Sequence, residues 1–135
     1  MTTSLQDGTM VDKMAQFDLR KEMDDSEKKK PWPSGLYSKT LFKKHDLRIV
    51  LISMQDSAHM KEHHADGTIS MQVLKGNLRV SVSGKPHDLP TGSLFTLAHS
   101  IRHDVEAKGD SVFLLTISWP SEVELAAMKH RGYGS

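Results

Sequence analysis

The stretch "TISMQVLKGNLRVSVSGK", residues 68–85, constrains the fold more than any other part of the chain. Ile69, Met71 and Val73 alternate with Ser70, Gln72 and Leu74. Leu78, Val80 and Val82 alternate with polar neighbours in the same way. Side chains of an extended strand point to opposite faces in turn, so a period of two marks strands with one buried face. Gly76-Asn77 separates the two runs as a tight turn, and Ser83-Gly84-Lys85 supplies a second one. A helix cannot bury such a pattern.

The flanking sequence continues in this manner. "LRIVLISM" (Leu47 to Met54) is continuous and β-branched, as expected of a buried strand. "LYSKTLFKK" alternates loosely, "HDLPTGSLFTLA" reads as two short strands around Pro90-Thr91-Gly92, and "SVFLLTIS" (Ser111 to Ser118) is the most apolar strand. Many short strands with turn signals every 8 to 12 residues point to a β-sandwich or barrel. Helical signals occur only at the ends. "MVDKMAQFDLRKEMDD" carries Met10, Met14 and Phe17 at helical spacing and predicts a short amphipathic helix, which stops before the prolines of "KKKPWPSG". In "WPSEVELAAMKH", Ser121 and Glu124 form a capping box. The organisation expected is an N-terminal arm with a short helix (1–34), a barrel (35–120) and a C-terminal helix and tail (121–135).

Composition narrows the function classes. The chain's 135 residues suffice for one core. Eighteen basic residues against seventeen acidic ones leave a net charge of +1, so nothing in the charge favours nucleic acid or an anionic membrane as a partner. The lysines of "SEKKKPW" follow acidic residues and read as a solvated linker. The absence of cysteine excludes disulfides, thiolate metal sites and cysteine nucleophiles. With no signal-peptide pattern at the N-terminus and no apolar run of membrane-spanning length, the expectation is a cytoplasmic protein. Phosphate-binding loops and dinucleotide fingerprints do not occur: "LKGNLRV" is a turn.

Histidine is in excess, with eight in the chain. His59, His63 and His64 form one cluster in and before "KEHHADG", and His99 and His103 form another about 40 residues later. A site requires the two clusters to meet in space. His45, His87 and His130 read as surface residues.

The order strand, His-rich loop, "VLKG", alternating strand, "LPTGS", strand and "HSIRHDVEA" resembles the small single-domain cupins of the conserved-barrel (cupin 2) type. The resemblance covers roughly residues 36–120. It implies an all-β, RmlC-like cupin jelly-roll (double-stranded β-helix) barrel of two antiparallel sheets, with short N- and C-terminal helices, and commonly a homodimer. Open sheets leave edge strands with unpaired backbone groups, which is an independent reason to expect pairing. The arm with Trp32 and Tyr37 is a candidate to cover such an edge, in its own subunit or in a neighbour.

The family's first motif, G-x5-H-x-H-x3/4-E-x6-G, is only partly kept. Counted back from Gly76, its glutamate position falls on Ile69, its second histidine on Ala65 and its first on His63. Counted forward from Gly92, the histidine of the second motif falls on His103. With the alternative loop length Glu62 and His64 take the two histidine positions and His63 points away. Gly67, which tolerates positive φ, allows the loop to turn Glu62 or His64 inward. The resemblance thus implies a metal set drawn from His63, His103, His64 and His99, binding one divalent transition metal (zinc, iron, manganese or nickel). The opposing reading is a pair of hydrogen-bonded histidines in a polar pocket. The apolar residue at 69 has its own implication. With Met71, Val73, Phe95 and Leu97, Ile69 would line a greasy ligand pocket, or fill a small barrel.

Three functions compete. The first is a small-molecule-binding or sensing barrel with a degenerate metal site. The second is a metal-dependent enzyme of the dioxygenase, isomerase or decarboxylase class, for which no catalytic residue is identified. The third is an interaction protein presenting an exposed aromatic arm at Trp32 and Tyr37.

Overall fold

The computed structural model describes residues 13–63 and 66–119, the side chains of Glu62 and His63 excepted. The capped helix expected at 121–135, His64 and His130 lie outside the described residues. The chain divides into two compact units, Met1–Lys30 and Pro31–Ser135.

The described part of the first unit is one helix, α1 (Leu19–Glu27). It begins later than the methionine pattern predicts, and residues 13–18 are not helical. Asp18 decides the start. Its side chain accepts from the Lys21 amide at 3.2 Å, and its carbonyl accepts from the Glu22 amide, so it is the N-cap. Met14 is left exposed. A carboxylate that satisfies an orphan amide outweighs a weak apolar spacing. Lys21 and Asp25, one turn apart, pair at 2.8 Å. No helix among the described residues is long and apolar enough to cross a membrane.

In the second unit a short 3-10 turn (Pro33–Gly35) leads into nine strands: β1 (Leu36–Lys43), β2 (Leu47–Met54), β3 (His59–His63), β4 (Thr68–Lys75), β5 (Asn77–Val82), β6 (Lys85–Pro90), β7 (Leu94–Leu97), β8 (His103–Ala107) and β9 (Ser111–Ser118). They form two antiparallel sheets, ordered β1-β2-β9-β4-β7 and β3-β8-β5-β6. The alternation read in the sequence sets the faces. Ile69, Met71 and Val73 of β4 and Leu78 and Val80 of β5 are buried, and with Ile52, Met54, Leu89, Val105, Ala107 and Phe113 they build the core between the sheets. The turns expected from glycine are present. Gly76 (φ 80°) joins β4 to β5, and Ser83 (φ 53°) with Gly84 (φ 77°) joins β5 to β6. His87 of β6 lies against Phe95 of β7, with ring centroids 5.6 Å apart, where the edges of the two sheets meet.

Trp32 is not the exposed aromatic of the interaction reading; it lies on an edge strand of its own chain, the other expectation for the arm. It is 5% exposed and stacks on Tyr37 of the edge strand β1, with centroids 6.5 Å apart. Its large apolar ring is covered within its own chain, so the interaction-arm reading loses its only feature.

Gly67 also differs from expectation. It does not adopt positive φ. What it supplies is the absence of a side chain: a Cβ at this position would run into the carbonyl group of Ser118 and lie 3.1 Å from Ile117 Cγ2. The loop before β4 crosses the end of β9 with no space between backbones. Gly67→Ala is therefore expected to lower stability by about 1–3 kcal/mol, the usual cost of overpacking, measured as a drop in the urea midpoint at unchanged m-value.

Candidate ligand pocket of the barrel

Residues directly opposite one another in antiparallel strands share a face. The register of the five-stranded sheet therefore gives its inner face as transverse rows. One row runs Ile52–Phe113–Val73 and the next Val50–Leu115–Met71–Phe95. The third, toward one end of the barrel, is Lys43–Arg48–Ile117–Ile69–Leu97. The second sheet faces these rows with Val80–Val105–Met60, and then with Val82–His103, opposite which the register places the backbone of His63.

Between the last two rows of both sheets lies a cavity of about 250 Å³, lined by Met60, Asp66, Ile69, Met71, His103, Val105, Phe113, Leu115, Ile117 and Trp119. Seven of these ten are aliphatic or phenyl side chains. The polar groups are the Asp66 carboxylate, the His103 ring and the indole N–H of Trp119. Of the residues expected to line a ligand pocket or fill the barrel, Ile69 and Met71 line the cavity. Val73 is buried in the core behind it, and Phe95 and Leu97 pack against the core without lining the cavity. Met60, Leu115 and Ile117 also line it; within "VFLLTIS" the apolar residues at 113, 115 and 117 carry that signal for β9, blurred by Leu114. Trp119 and Asp66 follow and precede strands, where alternation does not reach.

His103 is 2% exposed. Its Nδ1 donates to the Ile101 carbonyl at 3.0 Å. A carbonyl only accepts, so Nδ1 carries the proton of this bond. In the neutral ring Nε2 is then the basic nitrogen. The other histidines whose side chains are described, four in number, lie elsewhere. His99 is exposed, with Nδ1 3.4 Å from Ser100 Oγ. His59 is exposed and faces Asp104 at 3.2 Å. His45 and His87 are exposed, as expected of surface residues.

Does this constellation fit a metal? The Nδ1–carbonyl bond of His103 is the kind that orients a metal-ligating imidazole, and His63 stands opposite it in the register. Among the described residues, however, no three histidine, aspartate or glutamate side chains converge. The described part of the pocket thus holds one imidazole and the Asp66 carboxylate, which together fall short of the three protein ligands usual at a catalytic metal.

A further residue enters through the register. Arg48 shares the inner row with Ile117 and Ile69. Its Cζ lies 5.5 Å from the centroid of the Trp119 ring, within cation–π range. Trp119 lines both the cavity and an open recess to which Lys43, Lys44, His45 and Arg48 also contribute.

Two antiparallel sheets closed around an apolar interior, with a histidine at the inner end of a strand, define a cupin-type jelly-roll barrel. Solved structures agree. A cupin superfamily protein from Desulfitobacterium hafniense is similar over 63% of this chain and 78% of its own, with a TM-score of 0.61 and 19% identity. An RmlC-like cupin from Shewanella frigidimarina covers 67% of this chain and 82% of its own, with a TM-score of 0.61 and 23% identity. A cupin 2 conserved barrel domain protein from Leptotrichia buccalis is 27% identical over 70% of this chain and 46% of its own, with a TM-score of 0.63. No curated protein matches in sequence. The family described as "AraC-like ligand binding domain" matches residues 49–129, and this chain belongs to it.

Proposed function

We propose that the barrel binds a small, mainly apolar molecule in the cavity between its sheets, and that binding rather than catalysis is its function. The observation that carries this reading is the cavity itself: about 250 Å³, walled by aliphatic and aromatic side chains, with His103 as one fixed polar group. A closed apolar interior with few convergent polar groups is the usual form of a small-ligand site. A cavity of about 150 Å³ admits benzene, so this one suits a molecule of about ten non-hydrogen atoms. His103 Nε2 offers an acceptor to a ligand hydroxyl or amide. Membership of a ligand-binding domain family points the same way. The expected outcome is that 1-octanol binds with a calorimetric stoichiometry near one and quenches or shifts tryptophan fluorescence through Trp119. Met71→Trp, which fills the cavity, should abolish both signals while circular dichroism stays unchanged. Binding that survives the filled cavity would place the ligand elsewhere.

A metal-dependent activity of the dioxygenase, isomerase or decarboxylase class is the second reading. It is favoured by one observation, the pairing of His63 with His103 across β3 and β8. A divalent zinc, iron, manganese or nickel ion there would supply oxygen activation or carbonyl polarisation. Metal content of protein purified without chelator decides between the readings. Stoichiometric metal lost in both His63→Ala and His103→Ala supports the enzyme. Trace metal indifferent to both substitutions rejects it.

The pairing of two chains into a homodimer is part of the same proposal. Each sheet ends in two edge strands, β1 and β7 in one and β3 and β6 in the other, and unpaired edges are commonly covered by a partner. Light scattering on a sizing column should give twice the 15.1 kDa chain mass at micromolar concentration; a monomer there refutes the dimer.

A further inference from the structure

The inner face of β2 is apolar at Val50, Ile52 and Met54, and then breaks the pattern with Arg48. A guanidinium in that row is costly unless its donors find partners. Its Nε is buried and makes no hydrogen bond, and none of the ion pairs among the described residues involves Arg48. Its observed contact is the face of Trp119. Stacking holds the plane of the guanidinium but leaves its in-plane N–H fork to be satisfied, and that fork matches a carboxylate.

The surroundings agree in sign. Lys43 stands beside Arg48 in the register, and Lys44 and His45 line the same recess. The adjoining cavity is apolar, and Trp119 borders both. Ile117, in the cavity wall, is the direct strand neighbour of Arg48, about 5 Å away between Cα atoms.

We infer that the ligand of this barrel is an amphipathic monocarboxylate, its apolar body in the cavity and its carboxylate on Arg48 at the Trp119 end. This inference rests on the reading of the cavity as a ligand site and deepens it by naming the chemical class. Arg48 is the residue that distinguishes an acid from its neutral counterpart. The bland alternative, that Arg48 only props Trp119, predicts no such discrimination.

The test compares octanoate with 1-octanol, and 3-phenylpropionate with 3-phenylpropanol, by calorimetry on the full chain at about pH 7.5, where a carboxylate is ionised. A charge-assisted fork should favour each acid over its alcohol by about tenfold or more. Arg48→Gln should remove that preference while leaving alcohol affinity within about twofold of the parent. Arg48→Lys, which keeps the charge but loses the fork, should retain part of the preference and guards against a variant that fails to fold. Alcohols and acids binding equally to the parent chain, or a preference that survives Arg48→Gln, would overturn the carboxylate assignment and leave the cavity reading standing. Equal loss of acid and alcohol binding in both variants would assign Arg48 to propping Trp119 and likewise overturn it. If neither class binds the parent chain, both the assignment and the cavity reading fall.

Discussion

Everything in the barrel depends on the register of β9. It pairs with β2 along eight residues on one side and with β4 on the other, so three strands share its alternation. Phe113, Leu115 and Ile117 face inward from it, each at the centre of a transverse row. A slip of one residue would turn all three outward and bring Leu114 and Thr116 into the interior. The burial of these rows rewards one register only. Gly67 guards the same arrangement from the end, because only a residue without a Cβ lets the loop before β4 lie on Ser118.

That register also positions the pocket. The row of Ile52, Phe113 and Val73 packs into the core, and the cavity lies beside it, lined by Leu115 and Met71 of the next row and by Ile117 and Ile69 of the last. Polar groups occur where the rows run out. His103 is tied to the Ile101 carbonyl, and Arg48 lies against Trp119. The ligand proposed for the cavity, an apolar body with a polar group at one end, matches that arrangement. The fold alone would not specify this, since one barrel architecture serves many unrelated activities.

The strands were legible because their signal is local. Leu47–Met54 and Ser111–Ser118 have in the structure the bounds read from their apolar runs, and the turns at Gly76 and Gly84 need only their own φ. The helix start was misplaced because a single cap at Asp18 overrides a pattern of methionines. For Trp32 the sequence left covering an edge strand and standing exposed both open, because its contact with Tyr37 is one between side chains that no motif encodes. Within the pocket, Ile69 and Met71 follow from alternation. The role of Arg48 is not legible in "LRIVLISM", because a charged residue near a strand end normally reads as solvent-facing.

The sequence by itself determined the strand pattern, the face each strand buries and the cupin-like order of elements, because period-two alternation and turn chemistry act over a few neighbouring residues. The tertiary structure decided which rows of side chains meet across the barrel. It joined Trp119, Arg48 and Ile117 at one end, brought His103 into the wall with Met60 and Met71, and left a cavity in place of solid packing. These are consequences of long-range register and of the volumes on two facing sheets. No local stretch of sequence carries either quantity.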